Sequence, residues 1–217
     1  MGIQIRYATE SLASTLADIN IKSFAGQGFL ANTFPNIADD VILELKRRRY
    51  LQKLAHPKTH VVAAIDEDTD EVVGCARWVF PGSEAIIGSQ LSSDEVAAEA
   101  GAELALPEGT NRGMYDGFFQ VLKEKGERYC REEDIVLEFL ATRPDQQGRG
   151  IGKALLHWGM ERADKQQRRI YLEATTPGFP LYAKMGWRSL DKAEIDYTRW
   201  GGEGSQVLTL MVRDPQQ

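Results

Sequence analysis

LATRPDQQGRGIGKALL, residues 140–156, leads from an apolar strand through three glycines directly into a helix. Glycine lets the backbone approach a ligand closely because it has no side chain. The start of a helix offers unpaired N–H groups at the positive end of the helix dipole, where phosphate groups bind well. The stretch therefore predicts a strand, then a turn that binds a phosphate or pyrophosphate, then a helix.

Two common nucleotide-binding motifs do not fit this turn. A dinucleotide-binding fingerprint requires glycine or alanine where this chain has Lys153 or Leu155, depending on which glycine begins the motif. A Walker A loop requires glycine and a hydroxyl residue where the chain has Gln147 and Ala154. The spacing excludes both the Rossmann dinucleotide-binding proteins and the P-loop nucleotide triphosphatases.

Gln147, Gly150 and Gly152 match the acyl-CoA-binding signature Gln/Arg-x-x-Gly-x-Gly/Ala of the GNAT N-acetyltransferases. Further along the chain, LYAKMGW at residues 181–187 is similar to the second signature of that family, Leu-Tyr-x-Lys-x-Gly-Phe. The chain therefore resembles a GNAT N-acetyltransferase. The resemblance implies an α/β (α+β) fold, in which helices flank a mixed, mostly antiparallel central sheet.

Length and composition are those of an ordinary globular protein. The 217 residues are 42% hydrophobic and 27% charged, which fits one domain over residues 1–217. A net charge of −6 argues against nucleic acid or an anionic membrane surface as the main partner. The expected partner is a small-molecule amine, and a homodimer is left open.

The cysteines and histidines show no metal-binding pattern. Cys75 and Cys130 lack CxxC spacing, and Pro57 separates His56 from His60. No apolar run reaches the ~20 residues that span a bilayer, and the N-terminus lacks the pattern of a signal peptide. We expect a cytoplasmic protein without a metal cofactor.

Hydrophobic periodicity predicts the element order β-α-α-β-β-(insertion, α)-β-α-β-α-β-β. The insertion between the third and fourth strands covers about residues 81–131 and includes a predicted helix over 93–104. Residues 25–36 are predicted as an irregular loop and residues 37–54 as a helix. The basic run from Lys46 to Arg49 is interpreted as a solvated face of that helix.

The resemblance implies acetyl-CoA as co-substrate. In the family, the strand before the glycine turn opens away from its neighbour and pairs through its backbone with the pantetheine arm, while N–H groups of the turn contact the pyrophosphate. The side chains of Arg149 and Lys153 are free to add positive charge. The implied coenzyme-binding residues are Leu140, Ala141, Thr142, Gln147, Gly148, Arg149, Gly150, Ile151, Gly152 and Lys153.

Two side chains are candidates for proton transfer. Tyr182 matches the family tyrosine near the coenzyme sulfur, where a departing thiolate benefits from a proton donor; a structural tyrosine is the alternative. Glu138 is a charged residue in the otherwise apolar strand 135–141, which suggests a base facing the cleft. Edge exposure or a salt bridge would explain Glu138 equally well.

One departure from the family is Thr175, which stands where many relatives carry a coenzyme-contacting asparagine.

The resemblance implies an acceptor pocket built from the first inter-helix loop, the insertion and the last hairpin loop. These segments contribute the aromatic residues Phe29, Phe34, Tyr197 and Trp200, which favour an aromatic or amphipathic small molecule. The leading hypothesis is an N-acetyltransferase that moves an acetyl group from acetyl-CoA to a primary amine by direct attack. The alternative is a non-catalytic acyl-CoA-binding regulatory or scaffold module.

Overall fold

A seven-stranded sheet forms the centre of the protein, in a computed structural model that describes residues 2–82, 98 and 102–216. The strands lie in the order β1-β2-β3-β4-β5-β7-β6. Only the neighbours β4 and β5 are parallel, and the remaining pairs are antiparallel. This confirms the predicted mixed, mostly antiparallel sheet. The strands are β1 (Ile3–Tyr7), β2 (Thr59–Asp66), β3 (Val72–Val79), β4 (Ile135–Thr142), β5 (Ile170–Thr175), β6 (Arg188–Asp196) and β7 (Ser205–Arg213).

Helices cover both faces of the sheet. They are α1 (Ala13–Phe24), α2 (Phe29–Thr33), α3 (Asp39–Ala55), α4 (Arg112–Tyr129), α5 (Ile151–Lys165) and α6 (Phe179–Lys184). On one face, α5 packs against β1 to β4, and α6 contacts β5. On the other face, α1 and α3 cover β2 and β3, while α4 covers β6 and its neighbours. A space is left between the α1–α3 pair and α4.

Local sequence explains where several helices begin. Asp39 and Asp40 lie in the first turn of α3, where negative charge is favourable next to the helix dipole. The side chain of Asn111 accepts a hydrogen bond from the backbone N–H of Met114 at 3.1 Å and thereby caps α4. Gly150 stands before α5 in the left-handed conformation that glycine adopts most easily.

The loop predicted over residues 25–36 was wrong in part. It contains a 3-10 turn at Ala25–Gln27 and the short helix α2, because Leu30 is buried with Phe34 and Leu45 in a small hydrophobic cluster. Most of the helix predicted over 93–104 lies outside the described residues, and residues 102–104 are irregular. The single domain over residues 1–217 stays a prediction. No helix in the described ranges combines the length and the apolar character that a membrane span requires.

Glycine-to-alanine changes in two helices should have opposite effects on stability. A Cβ at Gly159 of α5 would overlap the indole of Trp78, which is fully buried, whereas a Cβ at Gly126 of α4 would meet nothing within 4 Å. We expect Gly159→Ala to lower the free energy of unfolding by about 1–3 kcal/mol through overpacking. Gly126→Ala should raise it by up to about 1 kcal/mol because alanine is the better helix former. Urea denaturation measures both, and a Gly159→Ala protein as stable as the wild type would contradict this packing.

Candidate active site

The parallel strands β4 and β5 are paired along only part of their length. Ile135, Val136 and Leu137 lie opposite residues 170–172, and beyond these pairs the two strands separate. On its other side β4 stays paired with β3 as far as Thr142. The backbone groups of residues 138–142 that face β5 therefore have no strand partner, as the resemblance implied.

A β-bulge lies in β4 at the point of separation. The register with β3 shifts between Trp78, opposite Leu137, and Arg77, opposite Phe139, so that Glu138 is the additional residue. Because of this shift, Leu137 points into the core beneath α5, whereas Phe139 packs on the face that α1 and α3 cover. Bulges are common beside active sites because they redirect side chains.

The glycine turn follows β4 directly. Gly148 and Gly150 both have φ of 81°, in the left-handed region that favours glycine. Within the described residues, no backbone N–H from Gly148 to Lys153 donates a hydrogen bond. A Cβ at either Gly148 or Gly150 would have no neighbour within 4 Å. The turn thus presents several unpaired donors on an open surface at the start of α5, which suits an anion.

The side chains of this turn differ from the prediction in one respect. Lys153 is exposed, and no acidic partner lies beside it among the described residues. Arg149, however, is not free: its Nη2 lies 2.7 Å from Oδ2 of Asp66, and its Nη1 donates to Gln146. The prediction that the Arg149 side chain is available for the ligand was therefore wrong for this conformation, because β2 supplies a nearby carboxylate.

Close packing brings the second sequence motif beside the first. A Cβ at Gly152 would lie 3.1 Å from Leu181 and 3.7 Å from Leu140, so glycine lets α5 begin close to both α6 and β4. Tyr182 of α6 is buried, and its ring packs edge-on against Trp187 at 5.9 Å. Burial raises the pKa of the Tyr182 hydroxyl, which keeps it protonated and able to donate.

A cavity of about 780 Å³ lies on the opposite face, between the α1–α3 pair and α4, above the point where β4 and β5 separate. Phe29 and Phe118 form one wall, with ring centroids 4.2 Å apart, and Phe139 lies across from them. Phe29 lines this cavity, and its role in substrate binding stays a prediction. The cavity is lined by both apolar rings and charged side chains.

The other three aromatic residues predicted for the acceptor pocket do not line the cavity. Phe34 is buried beside Leu30 and Leu45. Tyr197 is 1% exposed, and its hydroxyl donates to Gln206 at 2.6 Å. Trp200 packs on α4, where Gly113 and Gly117 leave room for its indole. Phe34 and Tyr197 are buried because aromatic residues in loops often complete the core, so this structure does not support their predicted role; for Trp200 that role stays a prediction.

Glu138 faces the cavity, but its carboxylate forms ion pairs with two basic residues. Arg77 Nε lies 2.7 Å from Oε2, and Lys53 donates to Oε1 at 2.9 Å. Burial raises the pKa of Glu138, but the positive charges of Arg77 and Lys53 outweigh burial and hold the pKa below its usual value. The salt bridge that the sequence left open as an alternative is present, and it makes Glu138 a weak base.

Glu173 is a second carboxylate on the cavity wall, and sequence analysis missed it. Burial raises its pKa, and the negative charge of Glu138 adds to that effect, while a 2.9 Å hydrogen bond from the Tyr171 hydroxyl opposes it. The signal that selected Glu138 would also have found Glu173. In IVLE (135–138) and IYLE (170–173), each glutamate directly follows the last residue that pairs between β4 and β5, Leu137 or Leu172.

The basic run of α3 lies partly in the cavity. Lys46, Arg49 and Lys53 follow the spacing i, i+3, i+7, which places them on one helix face, and all three line the cavity. The interpretation of the run from Lys46 to Arg49 as a solvated face was therefore wrong for Lys46 and Arg49, which line the cavity. Their side of α3 faces inward, because α4 lies opposite it across the cavity. Across the described part of the chain, no group of three or more His, Cys, Asp or Glu side chains could hold a metal ion.

Comparison with known proteins agrees with this arrangement. Residues 31–187 match the model of the acetyltransferase (GNAT) family, which is more than half of the chain. A probable acyltransferase, SID5 of Ajellomyces capsulatus, is 38% identical over 47 residues. That match covers 22% of this chain and 35% of SID5, so this chain spans about a third of the length of that relative.

Solved structures share the fold over nearly the whole chain. One is described as histone acetyltransferase HPA2 and related acetyltransferase from Corynebacterium glutamicum; it is 21% identical with a TM-score of 0.60, covering 100% of this chain and 98% of its own. The PaiA N-acetyltransferase of Thermoplasma acidophilum, solved in complex with coenzyme A, is 14% identical with a TM-score of 0.52 and covers 99% of each chain. The two sequence motifs and the separated strands agree with the family model. Because that model matches more than half of the chain, the chain belongs to the GNAT acetyltransferase family.

Proposed function

We propose that the protein is an N-acetyltransferase that moves the acetyl group of acetyl-CoA to the primary amine of a small molecule by direct attack. The observation that carries the proposal is the separation of β4 from β5 between the open glycine turn and the lined cavity. The turn would hold the pyrophosphate, and the cavity would hold the acceptor. The acetyl thioester would lie where the two meet.

Several groups of the chain support the proposed coenzyme contacts. The unpaired N–H groups of residues 148–153 suit the pyrophosphate, and the exposed Lys153 adds positive charge nearby. The backbone edge of Leu140, Ala141 and Thr142 lacks a strand partner on the β5 side, which suits the amide groups of the pantetheine arm, while the Thr142 carbonyl accepts a hydrogen bond from Ser23 Oγ at 3.1 Å. Acetyl-CoA supplies an activated acetyl thioester, and a preorganised backbone N–H beside the bulge would stabilise negative charge on its carbonyl oxygen.

The transfer needs one proton acceptor and one proton donor. The amine nitrogen forms a bond to the acetyl carbon and loses a proton, while the carbon–sulfur bond breaks and the sulfur gains a proton. We assign the acceptor role to Glu173, because its raised pKa makes it a better base than Glu138. Glu138, which the sequence predicted, is the alternative. Tyr182 is assigned the donor role.

Replacing Tyr182 with Phe should lower kcat by up to about 10²-fold, because the proton donor is lost while the ring against Trp187 stays. The Kd of coenzyme A should be unchanged. Steady-state kinetics measure kcat, and calorimetry measures the Kd of coenzyme A. Tyr129→Phe is the matched control, since the Tyr129 hydroxyl bonds to Asp191 away from the cavity and its removal should leave kcat unchanged. If Tyr182→Phe keeps the wild-type kcat across the full pH range, Tyr182 has a structural role and is not the proton donor.

The overall proposal is tested by thiol release from acetyl-CoA in the presence of a panel of primary amines. Release that depends on an amine, with the acetylated amine identified by mass spectrometry, supports catalysis. A non-catalytic acyl-CoA-binding module would bind acetyl-CoA without amine-dependent release. Efficient acetylation of a protein lysine with no small amine accepted would overturn the assignment of the substrate.

A further inference from the structure

The charge of the cavity differs in sign from that of the whole chain. The chain has a net charge of −6, yet the described lining of the cavity contains five basic and two acidic side chains. The basic residues are Lys46, Arg49, Lys53, Arg77 and Lys123, and the acidic residues are Glu138 and Glu173. An ammonium group would therefore meet a cavity wall that is locally positive.

The ion pairs leave part of this positive charge without compensation. Glu138 is occupied by Lys53 and Arg77. Arg49 donates to the hydroxyl of Tyr115 and lies over its ring at 5.1 Å, but this neighbour carries no charge. Among the described residues, Lys46 has neither a hydrogen bond nor a carboxylate partner. Within the described ranges, Lys46 and Arg49 thus share one helix face without a carboxylate counterion.

Lys46 carries the clearest sign of this imbalance. Burial is the main cause that lowers its pKa, to about 7, and the positive charges of Arg49 and Arg77 lower it further. A bound anion would act in the opposite direction, because it would restore a favourable partner for the protonated amine. Confined cations are costly to keep without a partner, so they suit a ligand that supplies the missing negative charge.

We infer that the acceptor is a primary amine that also carries an anionic group, a carboxylate in the simplest case, which Lys46 and Arg49 bind. Its apolar body would lie between Phe29, Phe118 and Phe139, and its amine would lie at Glu173. This inference rests on the proposed acyl transfer and narrows its substrate class. Lys46 and Arg49 act as specificity residues, not as proton carriers.

Matched amines test the inference. Phenethylamine is the neutral reference, while its para-carboxylated analogue and phenylalanine place a carboxylate at the far end of the ring or beside the amine. For the better of these two, wild-type kcat/KM should exceed that of phenethylamine by about 10- to 100-fold, the usual value of a hydrogen bond to a charged group. Lys46→Met and Arg49→Gln should each reduce this ratio about tenfold.

Arg47→Gln is the control on the same helix, because Arg47 pairs with Glu44 and lies outside the cavity lining. It should keep the wild-type ratio. A wild-type ratio of one or less would overturn the inference while leaving acyl transfer intact. An equal loss with every amine in Lys46→Met would also overturn it, because a specificity residue must affect the anionic amines more.

Binding of an anion without an amine separates this inference from the proposed function. Phenylpropionate cannot be acetylated, and it should raise the melting temperature of the wild type but not that of Lys46→Met. Phenylpropionamide, its neutral analogue, should have no effect on either protein. If no amine supports thiol release but phenylpropionate shows this difference, the anion site stands and acyl transfer fails. Equal effects of phenylpropionate and its amide would overturn the anion site.

Discussion

Glu173→Gln should lower kcat/KM by about 10²- to 10⁴-fold, the usual contribution of a positioned general base. Glutamine keeps the size of the side chain and can still accept the hydrogen bond from Tyr171, but it cannot take a proton. The loss should appear with every accepted amine, since deprotonation is common to all of them. Steady-state kinetics with acetyl-CoA and one responsive amine would measure it.

The pH–rate profile distinguishes the two carboxylates. A base must be ionised, so wild-type kcat/KM should fall as the pH decreases through the pKa of Glu173, which burial raises above the ordinary value of about 4.3. This acid limb should disappear in Glu173→Gln and remain in Glu138→Gln. If the larger loss and the missing limb occur in Glu138→Gln instead, Glu138 is the base, as the sequence predicted.

Gly150→Asp should abolish stabilisation of the protein by acetyl-CoA. At a ligand concentration about 100 times Kd, the wild type should gain roughly 2.7 kcal/mol in the free energy of unfolding. Aspartate at this position would place a negative charge among the N–H groups that the pyrophosphate needs. The free protein should still fold, because a Cβ at Gly150 meets nothing within 4 Å and aspartate tolerates the left-handed conformation.

Gly150→Asn is the control for shape, since asparagine has the same size and conformational tolerance without the charge. It should retain more of the stabilisation than Gly150→Asp. ATP and NAD should not stabilise the wild type, because neither nucleotide motif fits the turn. If saturating acetyl-CoA leaves the melting temperature of the wild type unchanged, the coenzyme does not bind at this site. If acetyl-CoA stabilises Gly150→Asp as much as the wild type, the pyrophosphate binds elsewhere.

Short-range patterns were sufficient for much of the fold. The glycine turn, the start of α5 at Ile151 and the hairpin of β2 and β3 follow from glycine placement and hydrophobic periodicity, which act over a few residues. The family motifs also led to the separation of β4 from β5, since in this family the strand before the glycine turn opens away from its neighbour. Glu138 was located at the cavity because a charge within an apolar strand needs a polar environment.

The sequence by itself determined the sheet, the glycine turn and the family motifs, whereas only the tertiary structure decided which side chains line the acceptor cavity. The bulge at Glu138 changes which face Phe139 occupies, and α4, which lies across the cavity from α3, makes the side of α3 with Lys46 and Arg49 an inner wall. Phe34 lies in the core for the same kind of reason. The face that a residue presents depends on register and on neighbouring elements distant in sequence, which periodicity within one segment does not encode.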